Sequence, residues 1–387
     1  MIWPYIILSY FSLFVFGLSD NVRGPLFPEI MKEFNVNDSV GSWMFALSAI
    51  SGFLSSYLCR HLLRRYDRLT VLKAGAIALI LSQIGMGTAP NFYVFLFFSL
   101  TFGMSMGIVG LIPNVLVPLG SSSERKQQLL AGLHSMYGVA SFLSPLIAAG
   151  VEHVTGSWRW TFGIVALAPT ALLIYTQHRS HDNLHKKTES TAEDHKLNKE
   201  RNFKPQLFFA FMVSFCVAAE IMVSSRLALF MRRTMDYDME RSSLYVTYFF
   251  VCMLIGRMLF ALIKLPVSVR HQLSGALVLS AACIYGGIYV HPAFMPLVGF
   301  TVAPFYPLAI SWISTKFPHD LDTAVSYMMA TDSMMLVAMH LLVGRITDNA
   351  GIATAMLVGP VCCFISFLLV NSYEFFFERA PAHESST

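Results

Sequence analysis

The 387-residue chain is 55% hydrophobic and only 13% charged, and its mean hydropathy is +0.57. So apolar a composition excludes a water-soluble surface and puts most of the exterior in lipid. The formal net charge of +4 reflects a loop bias described below, and no nucleic-acid partner is expected from it.

A helix crosses the hydrocarbon core with about 20 mostly apolar residues, because its backbone groups find no water there and must bond internally. Twelve such stretches follow one another, at 3–30, 39–59, 70–88, 92–119, 129–150, 159–177, 206–231, 242–263, 272–290, 293–315, 323–344 and 351–372. They predict an all-α membrane protein with 12 transmembrane helices in two pseudo-symmetric six-helix bundles, 1–177 and 206–372. A polar linker at 178–205 joins the bundles and a tail at 373–387 follows them. Doubled bundles of this kind are most often transporters.

The first stretch is too long for a signal-peptide core, and Asp20, Asn21 and Arg23 interrupt it where small residues would be needed, so no cleavable leader is expected. The linker histidines His178, His181, His185 and His195 read as part of a solvated tether. The six cysteines lie in or beside apolar stretches without metal-ligand spacing and read as small core residues. Neither a metal nor a cofactor is expected. With the N-terminus in the cytoplasm, eighteen of the 27 Lys and Arg residues fall on the cytoplasmic side and six on the other. That bias puts both termini and the linker inside; the expected location is a bacterial inner membrane, and the expected state a monomer surrounded by lipid.

Ionisable groups inside a span are costly and normally face a bundle interior or a wet cavity. The first span carries Asp20, Asn21 and Arg23, and the three-residue spacing of Asp20 and Arg23 puts them on one helix face. Asn114 lies in the fourth span, His134 and Tyr137 in the fifth, Glu220 and Arg226 in the seventh, Arg257 in the eighth, Tyr306 in the tenth, and Asp332 and His340 in the eleventh. Asp20 and Glu220 are the expected proton-coupling groups, Glu220 having no cation within reach along its own helix. Asn21, Arg23, Asn114, His134, Tyr137, Arg226, Arg257, Tyr306 and Asp332 are expected to contact a small-molecule substrate. His340, close to a helix end, reads as structural. An acid followed by an arginine opens each half, but six residues turn Arg226 well off the Glu220 face. Gly103, Gly107 and Gly110 are close-packing positions, and Pro304 and Pro307 are expected to interrupt the tenth helix.

The loop after the second span, Leu63-Arg-Arg-Tyr-Asp-Arg-Leu-Thr-Val-Leu-Lys-Ala-Gly75, resembles the signature loop of the major facilitator superfamily. Arg64 stands in place of that loop's acid and Asp67 in place of its glycine. Arg64, Arg65, Asp67 and Arg68 are the gating-loop residues this resemblance implies, with the gating salt bridge made by the missing acid in doubt. Four further runs are similar to the fucose and glucose permease (fucose-galactose-glucose:proton symporter-like) branch. They are Asp20-Asn21 with Gly24 and Pro28, Leu133-His-Ser-Met-Tyr-Gly138 with Pro145, Glu220 with Gly256-Arg257, and Gly299 through Pro307. The resemblance implies a central cavity lined by the first, fourth, seventh and tenth helices, and a secondary transporter of a sugar or small organic anion working by alternating access with proton coupling. Efflux of organic anions or drugs by antiport is the rival within transport; a non-transporting receptor or sensor is the remote one. No enzyme is expected, since the chain shows no paired metal motif, no nucleophile with a basic partner, and no phosphate-binding glycine loop.

Overall fold

The computed structural model describes residues 1–122, 125–177, 195–263, 266–317 and 321–377. Helices dominate them, and eleven are long and apolar enough to cross a membrane. The first half has α1 (Trp3–Phe34), α2 (Trp43–Arg65), α3 (Arg68–Thr88), α4 (Phe92–Gly120), α5 (Lys126–Thr155) and α6 (Arg159–Gln177). The second has α7 (His195–Met235), α8 (Met239–Leu262), α9 (Val269–Tyr289), α10 (Phe294–Lys316), α11 (Leu321–Met356) and α12 (Val358–Phe377). The twelfth crossing is α5, as long as its neighbours and carrying His134, Ser135, Tyr137, Ser141 and Ser144. Below, the end at which α1 begins is the proximal end and the opposite one the distal end.

The two halves repeat one plan at a fixed offset. Helix α1 ends at Asn35 in the left-handed region and α7 ends at Asp236 in the same conformation. Asn37 caps the one-turn helix that leads into α2, and Asp238 caps α8. Asp67 caps α3, and Ser268 caps α9. Each cap accepts a hydrogen bond from a backbone N–H of the first turn, which removes one orphan donor at a helix start. All three pairs stand 201 positions apart. By that register Glu220 corresponds to Ser19 and Asp20 to Ile221, so the two acids occupy different positions of the repeat. Gly24 corresponds to Ser225, and the two touch: a Cβ on Gly24 would lie 3.3 Å from the Ser225 Cα. This crossing of α1 and α7 therefore lies close to the pseudo-two-fold axis.

Glycines let helices of one half approach each other. A Cβ on Gly103 of α4 would collide with the Ser48 carbonyl of α2, and one on Gly107 would lie 2.5 Å from the Gly52 carbonyl. The second half does the same, with Gly299 of α10 against the Phe249 carbonyl of α8. Gly110 rests on the Phe16 ring of α1, so the three glycines expected to pack closely do so.

Three boundaries differ from the sequence reading. Residues 195–205, assigned there to the linker, are helical and continuous with α7; the rest of the linker, with His178, His181 and His185, lies outside the described residues. Helix α11, expected to stop at 344, continues to a kink at Gly351, whose φ is +81°. The polar run Arg345-Ile-Thr-Asp-Asn349 looked like a turn, but Asp348 accepts hydrogen bonds from the Asp38 N–H (2.8 Å), the Ser39 N–H (2.9 Å) and the Ser39 hydroxyl. That tertiary docking gives the acid partners while it stays helical. Helix α12 accordingly runs later than expected. The break in α10 falls where the prolines put it, between Val302 and Phe305.

Replacing Gly103 with leucine forces the α2–α4 contact apart and is expected to cost about 1–3 kcal/mol, the usual scale of overpacking. Gly150→Leu, where a side chain meets nothing within 4 Å, is expected to leave the midpoint unchanged. Thermal unfolding of the two variants in detergent checks both.

Candidate functional site

The halves are tied together at the distal end. Arg232 of α7 pairs with Glu29 of α1, and Arg233 reaches Asp38 at 2.7 Å. The Asp348 bonds to the start of the Asp38–Gly41 turn complete this rim. Beneath it lies a drier layer. Arg226, 1% exposed, donates from Nη2 to the Ser42 hydroxyl at 2.8 Å and lies over the rings of Phe27 (4.2 Å) and Phe45 (5.1 Å). His340 stacks on Phe45 with centroids 4.7 Å apart and 14° between planes. Arginine and histidine of the second half thus sit on aromatic rings of the first. Contacts of this type are worth about 0.5–2 kcal/mol each, toward the upper value when desolvated.

Below this seal, Arg23 and Asp20 form the ion pair that their spacing predicted. Arg23 also donates to the Ser48 hydroxyl (2.9 Å) and lies over Phe102 (4.5 Å) and Phe45 (5.4 Å). Pro25 and Pro28 have no N–H to offer the carbonyls of Asn21 and Gly24, and the helix is interrupted at Val22 between the two members of the pair. Asn21 donates to Ser141 of α5 at 3.0 Å and to its own Gly17 carbonyl at 2.9 Å.

Glu220 faces Arg257 of α8 at 3.9 Å. The local cation that its own helix lacks is supplied across the bundle, which corrects the expectation drawn from α7 alone. The separation is too long for a hydrogen bond and leaves the pair loosely held, with side chains 18% and 31% exposed. Tyr137 and Tyr306 lie within electrostatic reach of both Glu220 and Arg257, and His134 within reach of Arg257. Tyr137 is also beside Asn21 and Asp20. Asp332 accepts a hydrogen bond from Ser214 at 2.7 Å. These residues come from α1, α5, α7, α8, α10 and α11, so both halves contribute to one polar region, the chamber, on the proximal side of the seal.

Not every expected residue converges there. Asn114 is exposed on α4 and bonds its own helix at Gly110 (2.8 Å). Arg226 is sealed in the distal layer, about 9 Å along α7 from Glu220 at 1.5 Å per residue. In the loop after α2, Asp67 accepts from the Thr70 N–H (2.8 Å) and hydroxyl (2.6 Å) and so caps α3; the Arg64 side chain lies outside the described residues. Sequence reasoning missed Phe45, Phe27, Ser42, Ser48 and Ser214, which are ordinary residues for a span. Nothing in their local pattern marks them, since their partners come from other helices.

The model for the Major Facilitator Superfamily matches residues 9–331. The chain belongs to that superfamily. Among similar curated proteins, efflux pump hmp6 of Hypomyces subiculosus is 33% identical over 165 residues, covering 40% of this chain and 27% of the pump. The galactose-proton symporter of Escherichia coli K12 is 23% identical over 163 residues, 41% of this chain and 34% of the symporter. In both cases the matched part is about a third of the relative's length or less. A Protein TsgA homolog of Buchnera aphidicola aligns along 97% of both chains at 19% identity. Two solved structures share the fold with a TM-score of 0.72 and 13% identity. One is a bacterial homolog of the human lysosomal transporter Spinster in an inward-facing and occupied conformation, covering 98% of this chain and 99% of that one. The other is a D-xylose-proton symporter, covering 95% and 97%. Members of this superfamily are transporters, not enzymes.

Cβ positions at Gly344 and Ser42 are 2.9 Å apart across the distal seal, and a small separation brings them to the roughly 3.8 Å of a disulfide. Cysteines placed at both positions, with the six native cysteines replaced, are expected to cross-link on oxidation, stop solute movement in proteoliposomes, and release it on reduction.

Proposed function

We propose that this superfamily member carries a small polar solute, a sugar or small organic anion, by alternating access coupled to protons. The observation that carries the reading is the Glu220–Arg257 pair: an acid and a base at 3.9 Å, partly exposed and at mid-span. A proton on Glu220 removes its attraction for Arg257, and the freed guanidinium can then bind a substrate hydroxyl or carboxylate. Neutralising the acid also lowers the cost of moving the group through a drier intermediate as the halves rock. The Asp20–Arg23 pair stands across the chamber in the first half, as the equivalent candidate there. Tyr137, Tyr306, Asn21 and His134 are neutral hydrogen-bonding groups suited to orient a polyol or carboxylate, and the similarity to sugar–proton symporters supports the same class. The loop bias in Lys and Arg favours cytoplasmic termini and a bacterial inner membrane. On that orientation the proximal opening faces the cytoplasm.

Antiport of an organic anion or drug is the second reading, favoured by the similarity to an efflux pump. Proteoliposomes with a trapped pH dye separate the two. Added sugar, sugar acid or small carboxylate is expected to acidify the lumen of vesicles containing wild-type protein. Glu220→Gln is expected to abolish the pH change while labelled-solute exchange continues. Arg257→Gln is expected to weaken solute affinity by roughly ten- to a hundredfold, the loss of one charge-assisted hydrogen bond. Labelled solute that moves in wild type without any pH change overturns proton coupling, and lumen alkalinisation assigns antiport.

A further inference from the structure

Asp20 and Glu220 each face an arginine. Asp332, the third acid of the chamber, does not. Helix α11 packs chiefly on α7, α2 and α12. Among the described residues, the titratable groups within electrostatic reach of Asp332 are Glu220 and Cys216 of α7 and Tyr306 of α10. None is a cation. Its bonded partner is a hydroxyl, Ser214 Oγ at 2.7 Å.

That hydroxyl has one hydrogen and three acceptors around it: the Ala210 carbonyl at 2.9 Å, Thr331 Oγ1 at 2.8 Å and Asp332 Oδ1 at 2.7 Å. Thr331 has outlets of its own in the carbonyls of Tyr327 (2.9 Å) and Met328 (3.0 Å). The arrangement is satisfied in two ways. With Asp332 ionised, Ser214 turns its hydrogen onto the carboxylate. With Asp332 protonated, the carboxyl donates to Ser214 Oγ, and Ser214 turns its hydrogen onto Ala210 or Thr331. A hydroxyl, being both donor and acceptor, accommodates either state without moving a heavy atom. An arginine also bonds either state, but its charge favours the ionised one.

We propose that Asp332, with Ser214 as its reversible partner, is a proton-binding site of the chamber, separate from the Glu220–Arg257 pair and nearer the proximal opening. In a low-dielectric span a carboxyl is balanced by a cation, a hydrogen-bond donor or a proton; among the described residues no cation is within reach of Asp332, and its bonded partner is a hydroxyl that serves the protonated form as well as the ionised one. Ser214 precedes Glu220 by six residues, about 9 Å along α7 toward the proximal end. A proton leaving Glu220 for the proximal side therefore meets Asp332 on its way. This transit role rests on the proton-coupled reading above; the binding of a proton at Asp332 does not.

Infrared spectra of the purified protein test the site directly through the C=O stretch of protonated carboxyls. At neutral pH, wild type is expected to show a carboxylic band that Asp332→Asn lacks and Glu220→Gln retains, and Ser214→Ala is expected to shift its frequency. Asparagine is nearly isosteric and can still bond Ser214, so the variant is expected to fold, with a thermal unfolding midpoint in detergent close to that of wild type as the check. A band unchanged in Asp332→Asn overturns the proposal. In proteoliposomes, Asp332→Asn is expected to lose solute-driven lumen acidification. If Asp332→Asn removes the band but wild-type vesicles show no solute-driven pH change, the coupling reading fails and the proton-binding site stands.

Discussion

Charge in a hydrocarbon slab has to be paired, hydrogen-bonded or wetted, because the ordinary cost of stranding it exceeds what any single packing contact returns. The interior of this protein is organised around that constraint. At the distal rim, where water is close, carboxylates meet arginines between the halves. One layer deeper, the guanidinium of Arg226 is placed on two phenylalanine faces with the Ser42 hydroxyl as its bonded partner and Asp38 of the rim within electrostatic reach. Aromatic quadrupoles are weak substitutes for a carboxylate. A seal built on them is dry without being permanent, which suits an interface that opens and closes.

The same constraint explains how polarity is graded through the chamber. Asp20 is held tightly by an arginine on its own helix, Glu220 loosely by one on another helix, and Asp332 by a hydroxyl. Close packing by Gly103, Gly107 and Gly299 brings the helices within each half into backbone contact, which ties each bundle together as a unit.

The twelve spans, the broken tenth helix, the three close-packing glycines and the Asp20–Arg23 pair were legible in the sequence, because each depends on residues near one another in the chain. What was not legible depends on residues brought together by the fold. Glu220 looked unpaired because Arg257 is on another helix. His340 read as structural, but its stacking partner, Phe45 of the first half, is far away in the chain. The run at 345–349 looked like a turn because the hydrogen bonds that keep Asp348 helical come from residues more than 300 positions away. Ser214 carried no signal at all, since a serine in a span is usually a small packing residue bonded to its own backbone.

The 201-position register reaches beyond geometry. Caps, left-handed helix ends and the Gly24–Ser225 crossing obey it, while the acids and arginines do not: Glu220 stands where the first half has Ser19, and Arg23 stands where the second has Ser224. A scaffold that repeats with charges that do not is the mark of a tandem duplication whose copies were then altered separately. The architecture is the inherited part. The chemistry was written onto each copy afterwards, and the asymmetry between a tight pair in one half and a loose pair in the other is the trace of two histories sharing one frame.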